Sequence, residues 1–278
     1  MEKSIAAAQP ALFTNKDLKR LIFPLIVEQA LALSVGMFDT MMIASLGEAA
    51  MSGVSLVDMI NALIINVFVA LATGGAVVVA QFIGAKKSEM ARASTVQLIF
   101  VSFVVSLVIM GVCLWLKVPI IRLFFGSITD DVMQSCETYF FITALSFPFL
   151  AVYNSCAAVF RLIGRSSITM YASLMSNVLN IIGNAIFIYV IPFGVAGAAG
   201  ATVFARFAAM ALLLVLLTNP KNGVYIDLKM KFRIDWKVVR QILHIGIPSG
   251  IENKLFSLGR VLVVSIISGF GTVQIAAN

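Results

Sequence analysis

Charge is scarce in this chain of 278 residues: Asp, Glu, Lys and Arg make up 12% of it, about half the share of an ordinary soluble domain. With 60% apolar residues and a mean hydropathy of +1.02, water is not the solvent for most of its surface. Histidine occurs once, at His244, and cysteine three times, at Cys113, Cys136 and Cys156. Those spacings match neither a metal site nor an even disulfide framework. No metal-binding His pair and no Ser or Cys beside a base motif is present, so a membrane-embedded enzyme is disfavoured and no cofactor is expected. The formal charge of +7 does not point to nucleic acid, because the basic residues fall in short connectors and not along one amphipathic face. The N-terminus lacks a short apolar core followed by a cleavage site. Its first apolar run continues from Leu21 to Leu46 and is expected to remain as a membrane helix.

What fills the chain is a series of apolar runs of about 20 residues or more, each long enough to cross a hydrocarbon core as a helix. Barrel strands would need about 10 residues of alternating polarity, and these runs are continuous. The pattern predicts spans at 21–46, 50–83, 93–116, 134–160, 167–191, 195–218 and 245–270. Lys16, Lys19 and Arg20 precede the first, Lys86, Lys87 and Arg92 follow the second, and Arg161 and Arg165 follow the fourth. The connectors around Gly47 and Pro192 carry no basic residue, and a third sets Lys117 and Arg122 beside Asp130, Asp131 and Glu137. By the positive-inside rule the N-terminus is cytoplasmic, and the expected location is the bacterial inner membrane. After the sixth span, Asp235 is placed to cap a short helix lying on the membrane surface.

An offset of 224 residues pairs Pro24 with Pro248, Glu28 with Glu252 and Gly47 with Gly271, relating the first span to the seventh. Six spans separate the copies, which is the parallel-repeat plan of many secondary transporters. The expected organisation is a cytoplasmic segment at 1–20, a six-helix transmembrane lobe at 21–218, a cytoplasmic interfacial linker at 219–243, and the first helix of a second lobe at 244–278. The fold class is thus an all-α membrane bundle, and a second six-helix lobe is expected to be missing from a truncated chain.

Polar residues inside these runs are the candidates for function, since an ionisable group in a membrane span is costly to keep. Asp39 lies eight residues before Gly47, about 12 Å from the outer end of its span at 1.5 Å per residue. Asn184 lies eight residues before Pro192 and Thr202 eight after Gly194, so all three share one depth. Asn177, Asn180 and Asn184 follow an i, i+3, i+7 pattern on one helix face. A carboxylate, amide oxygens and a hydroxyl suit a hard cation such as Na⁺, or a titratable carboxyl. Gly197 and Gly200 would allow a close approach exposing a backbone carbonyl such as that of Ala198. The same side chains would equally serve interhelical hydrogen bonds. Asp58 falls at a similar depth and could join either arrangement. Met37, Met41 and Met42 offer adaptable contacts beside Asp39 for a promiscuous pocket, or plain packing. Glu28, Glu252, Lys254 and Arg206 read as structural ion pairs towards the cytoplasmic side. Pro24 is a candidate hinge, although a span starting at residue 21 puts it in the first turn, where proline is harmless.

Several motifs taken in order resemble the multidrug and toxic compound extrusion (MATE) transporters. They are Pro24, Asp39-Thr40 and Leu46-Gly47; Gly74-Gly75, Val79-Ala80-Gln81 and Gly84-Ala85-Lys86; Leu179 to Asn184; and Gly197 to Thr202. The resemblance runs from Leu21 to Asn278. It implies two six-helix lobes in full-length members and exchange of H⁺ or Na⁺ for small organic, often cationic, substrates. It also implies a cation site built from Asp39, Asn180, Asn184 and Thr202. Some members carry aspartate where Asn184 stands, so this site has one negative charge fewer. The rival expectation is a lipid-linked precursor flippase or polysaccharide exporter of related architecture, whose cavity would be lined by basic residues.

Overall fold

A chain with so few charges in lipid must satisfy its backbone internally, and helices do this within one segment. The computed structural model describes residues 15–125, 128–220, 224–226, 234–246 and 248, with side chains from residue 22 onward. Among them there is no strand. The helices are α1 (Asn15–Ala44), α2 (Glu48–Gly84), α3 (Ser88–Trp115), α4 (Lys117–Phe125), α5 (Asp130–Ala144), α6 (Phe147–Leu162), α7 (Ser166–Ala185) and α8 (Gly194–Leu217). A ninth, α9, covers 236–246. Five segments are long and apolar enough to cross a membrane, and α5 with α6 makes a sixth as a bent pair. This is a multi-pass membrane bundle.

Three features depart from the sequence expectation. The fourth span is not one helix over 134–160: α5 and α6 meet at 49° around Leu145 and Ser146. Pro148, in the first turn of α6, has no N–H to give and so prevents α5 from running on. The carbonyls freed at the break find local donors, with the Ser146 hydroxyl on Thr143 O at 2.6 Å and the Ser146 N–H on the same oxygen at 3.0 Å. The third connector also holds a helix of its own, α4, whose Ile121 is buried and whose Lys117 meets Glu137 of α5 at 2.8 Å. Finally, α1 begins at Asn15, so Pro24 stands in the helix interior and not in its first turn. There it leaves the carbonyl four residues earlier without its helical donor.

Helix ends follow from the sequence. At the close of α6, Gly164 adopts φ 75°, and Arg165 N–H reaches Phe160 O at 2.9 Å, a left-handed cap that glycine reaches without steric cost. The last turn of α7 widens into a π-helix over Ile186–Val190 before Pro192. In front of α9, the Asp235 carboxylate accepts Lys237 N–H at 2.9 Å, as expected of a capping residue.

Packing joins α2 to α3, α5 and α6, α3 to α6, and α8 to α5, α6 and α7, while α1 lies along α7 with a smaller contact to α2. Two apolar clusters result. One gathers Ile43, Val57, Phe68, Phe140 and Phe147; the other gathers Val78, Leu98, Phe160, Leu213 and Ile242. Val238, Val239 and Ile242 of α9 belong to the second, so the helix after α8 packs on the bundle. The predicted span at 245–270 lies almost wholly outside the described residues.

Candidate functional site

Asp39 sits in the last third of α1, half-buried, facing the amide-bearing side of α7. Asn184 Nδ2 donates to Asp39 Oδ1 at 2.8 Å. With its amide nitrogen turned towards the carboxylate, Asn180 donates to Asp39 Oδ1 at 2.9 Å and Oδ2 at 3.0 Å, and its own oxygen accepts from Thr202 Oγ1 at 3.1 Å. Thr202 also lies 3.1 Å from the Ala198 carbonyl, so its single proton is shared between two acceptors. Asn180 and Asn184 are 7% and 1% exposed, and Asn184 Oδ1 is buried with no donor. Of the residues placed at one depth, Asn184 bonds Asp39 directly and Thr202 is linked to it through Asn180, while Asp58 lies with Asn61 instead.

The close approach of α7 and α8 comes from Gly183, where a Cβ would sit 2.7 Å from Ala201 Cβ, and from Gly197, where it would meet Phe187 at 2.7 Å. Gly200 faces open space. Asn177 is not part of the Asp39 cluster, and its buried Nδ2 has no partner. Met37 and Met41 are 69% and 70% exposed on the same helix as Asp39.

Asp58 anchors a second group. It is exposed on α2, with Asn61 Nδ2 at 3.5 Å and the buried Tyr139 hydroxyl of α5 donating to it. Asn61 also reaches Thr143 Oγ1 at 3.4 Å. Arg206 of α8 donates from Nη1 to Ser146 Oγ at 2.6 Å, at the break between α5 and α6. Sequence reasoning missed Tyr139, Asn61, Thr143 and Ser146. Reading the fourth span as straight hid the depth at which Tyr139 and Ser146 lie.

Arg206 is not the partner of Glu28. That carboxylate is buried and pairs with Arg161 of α6, Nη2 to Oε1 at 2.7 Å, and accepts from Thr169 Oγ1 of α7 at 3.3 Å. Arg161 closes α6 beside a connector, yet its long side chain reaches back into the bundle. Glu252 and Lys254 lie outside the described residues. No group of three or more His, Cys, Asp or Glu side chains able to hold a metal occurs among the described residues, so any ion held at Asp39 would depend on amide, hydroxyl and carbonyl oxygens.

The MatE family model matches residues 24–186. The chain belongs to this family. MatE proteins are transporters, not enzymes. The chain is 29% identical over 274 residues to the uncharacterized transporter YisQ of Bacillus subtilis, covering 97% of this chain and 59% of that protein. It is 26% identical over 263 residues to the probable multidrug resistance protein NorM of Thermotoga maritima, covering 91% and 54%. A crystal structure of MATE in the bent conformation superposes with a TM-score of 0.82 at 23% identity, over 94% of this chain and 58% of that one. The MATE architecture is thus shared, and the chain spans between half and two thirds of the length of these relatives.

Proposed function

We propose that the chain forms the cation-coupling lobe of an exporter that exchanges H⁺ or Na⁺ for organic, often cationic, compounds across the bacterial inner membrane, with its N-terminus in the cytoplasm. One observation carries the reading: a carboxylate on a membrane span is held by two asparagine amides, with a threonine hydroxyl and a backbone carbonyl adjoining. In the arrangement seen, N–H groups stabilise a charged Asp39. Turning the two amides over would present their oxygens instead, and with Asp39, Thr202 and Ala198 O these make an oxygen-rich shell for a hard cation. A proton on Asp39 would act equivalently by removing its charge. Cation occupancy then biases which side of the membrane the cavity faces, provided the two states bind the cation unequally.

Transport in this plan takes a second six-helix lobe rocking against the first, which we assign to the portion of the relatives that this chain does not span. The probable multidrug resistance proteins among the relatives support small-molecule export. A flippase of polyanionic lipid-linked precursors would place free basic groups at the cavity, whereas Arg206 is engaged by Ser146.

Dye efflux from membrane vesicles containing the transporter, with Na⁺ and pH gradients imposed separately, tests the reading. Efflux driven by one gradient and reduced at least about tenfold in Asp39→Asn is expected, because Asp39 is the carboxylate that the Asn180 and Asn184 amides hold. Efflux independent of both gradients, or a wild-type rate in Asp39→Asn, overturns it.

A further inference from the structure

Asp39 and Asp58 differ in their surroundings. Asp39 is half-buried and takes three short contacts from the Asn180 and Asn184 amides, at 2.8, 2.9 and 3.0 Å. Asp58 is solvent-accessible and has one long amide contact and one phenol. Beside it Asn61, 2% exposed, keeps its Oδ1 buried without any donor. The Asp58 end of the cluster thus has acceptors in excess of donors, while Arg206 of α8, which attracts Asp58, bonds to Ser146 and forms no ion pair with it. An exposed carboxylate with spare acceptors fits a positively charged organic ligand.

Asp58 also lies near enough to Asp39 for the two charges to repel. The charged and titratable groups facing it are Asp39 from α1, Tyr139 from α5 and Arg206 from α8. We propose that Asp58 is the anchor for the organic cation, separate from the Asp39 pocket that takes the coupling cation. This rests on the exchange reading above and divides its labour between two carboxylates. A cation arriving at Asp39 cancels a negative charge near Asp58 and so weakens the hold on the organic cation, while leaving the second site unoccupied. Linkage makes the effect reciprocal. Because the sites are distinct, the weakening must level off; direct competition for one carboxylate would continue without limit.

The test is equilibrium binding of tetraphenylphosphonium to the purified protein in lipid nanodiscs, with Na⁺ and pH varied independently. In wild type the apparent Kd is expected to rise about tenfold and then reach a plateau, a change of the size typical of coupled sites. Asp39→Asn should start at the plateau and ignore both ions. Asp58→Asn should lose about tenfold or more in affinity, while Asp58→Glu, which keeps the charge, should stay within about threefold. Ser55, exposed one turn before Asp58 on α2, allows a test that leaves the hydrogen bonds of Asp58 intact. Ser55→Lys should weaken binding and Ser55→Glu strengthen it, each by several-fold, since side chains three apart share a helix face.

Wild-type affinity in Asp58→Asn, or no opposed response of the two Ser55 variants, overturns the assignment. Loss of binding in Asp39→Asn also overturns it, by making Asp39 the anchor. If wild-type binding ignores both ions while Asp58→Asn still loses it, the coupling reading fails and the Asp58 anchor stands.

Discussion

The amide at position 184 fixes how much negative charge the Asp39 pocket carries. Its nitrogen neutralises nothing and only donates to Asp39, so the pocket bears one formal charge where an aspartate would give two. Adding the second charge with Asn184→Asp should favour Na⁺ over neutral surroundings, because two carboxylates at close range cannot both stay charged without a cation between them. The Na⁺ concentration giving half-maximal efflux, measured at fixed pH, is expected to fall about tenfold in Asn184→Asp, corresponding to about 1.4 kcal/mol. An unchanged value would show that residue 184 does not face the ion. The common depth of Asp39, Asn184 and Thr202 is legible in the sequence, because each lies a fixed count from a helix end and straight helices convert count into depth; Asn180 enters through the one-face spacing of α7 and the family resemblance. Glu28 illustrates the limit of that reasoning. Its partner Arg161 is 133 positions away on α6, and depth alone had offered Arg206, Lys254 and Glu252 as neighbours without a way to choose the helix that packs beside α1.

Among the helices, the departures trace to rules that apolar run length cannot express. The spans were visible as composition, but the bend between α5 and α6 depends on Pro148 and on Ser146 and Thr143 rebonding the loosened turn. A hydropathy window averages across all three. Close packing is equally local. At Gly53, on α2, a Cβ would come 2.7 Å from Ser135 Cβ and 3.1 Å from Cys136 N and Val132 O of α5. Backbone on the far side leaves little room to yield, so Gly53→Ala should lower stability by about 1–3 kcal/mol, the range of overpacked cores. Gly111, within α3, has nothing within 4 Å of the same added atom. There alanine should be neutral or raise stability by up to about 1 kcal/mol through helix propensity. Thermal unfolding of the two variants in detergent, followed by loss of monodispersity, compares them directly. Equal effects would mean that the α2–α5 contact is looser than the geometry requires.

For the molecule as a whole, orientation decides which ion gradient the Asp39 pocket meets first, so topology is part of the mechanism. The connector at Gly47 and the one at Pro192 lack basic residues, while Lys86 and Lys87 mark the opposite end of α2. If the N-terminus is cytoplasmic, Glu48 faces the outside and Ser88 the inside. Both are exposed, and the three native cysteines are all buried, so a single introduced thiol would dominate labelling without removing them. In intact cells a membrane-impermeant maleimide is expected to label Glu48→Cys and to leave Ser88→Cys unlabelled until the membrane is opened. The position of Asp39 along α1 then gives the direction of exchange. Asp39 lies five residues before the end of α1 at Ala44, only about 8 Å along the axis at 1.5 Å per residue, so a cation from outside has the shorter path to it. Labelling in the reverse order would turn the pocket towards the cytoplasm. An inward cation gradient would then load the far end of the bundle, and the exchange scheme would have to run in the opposite sense.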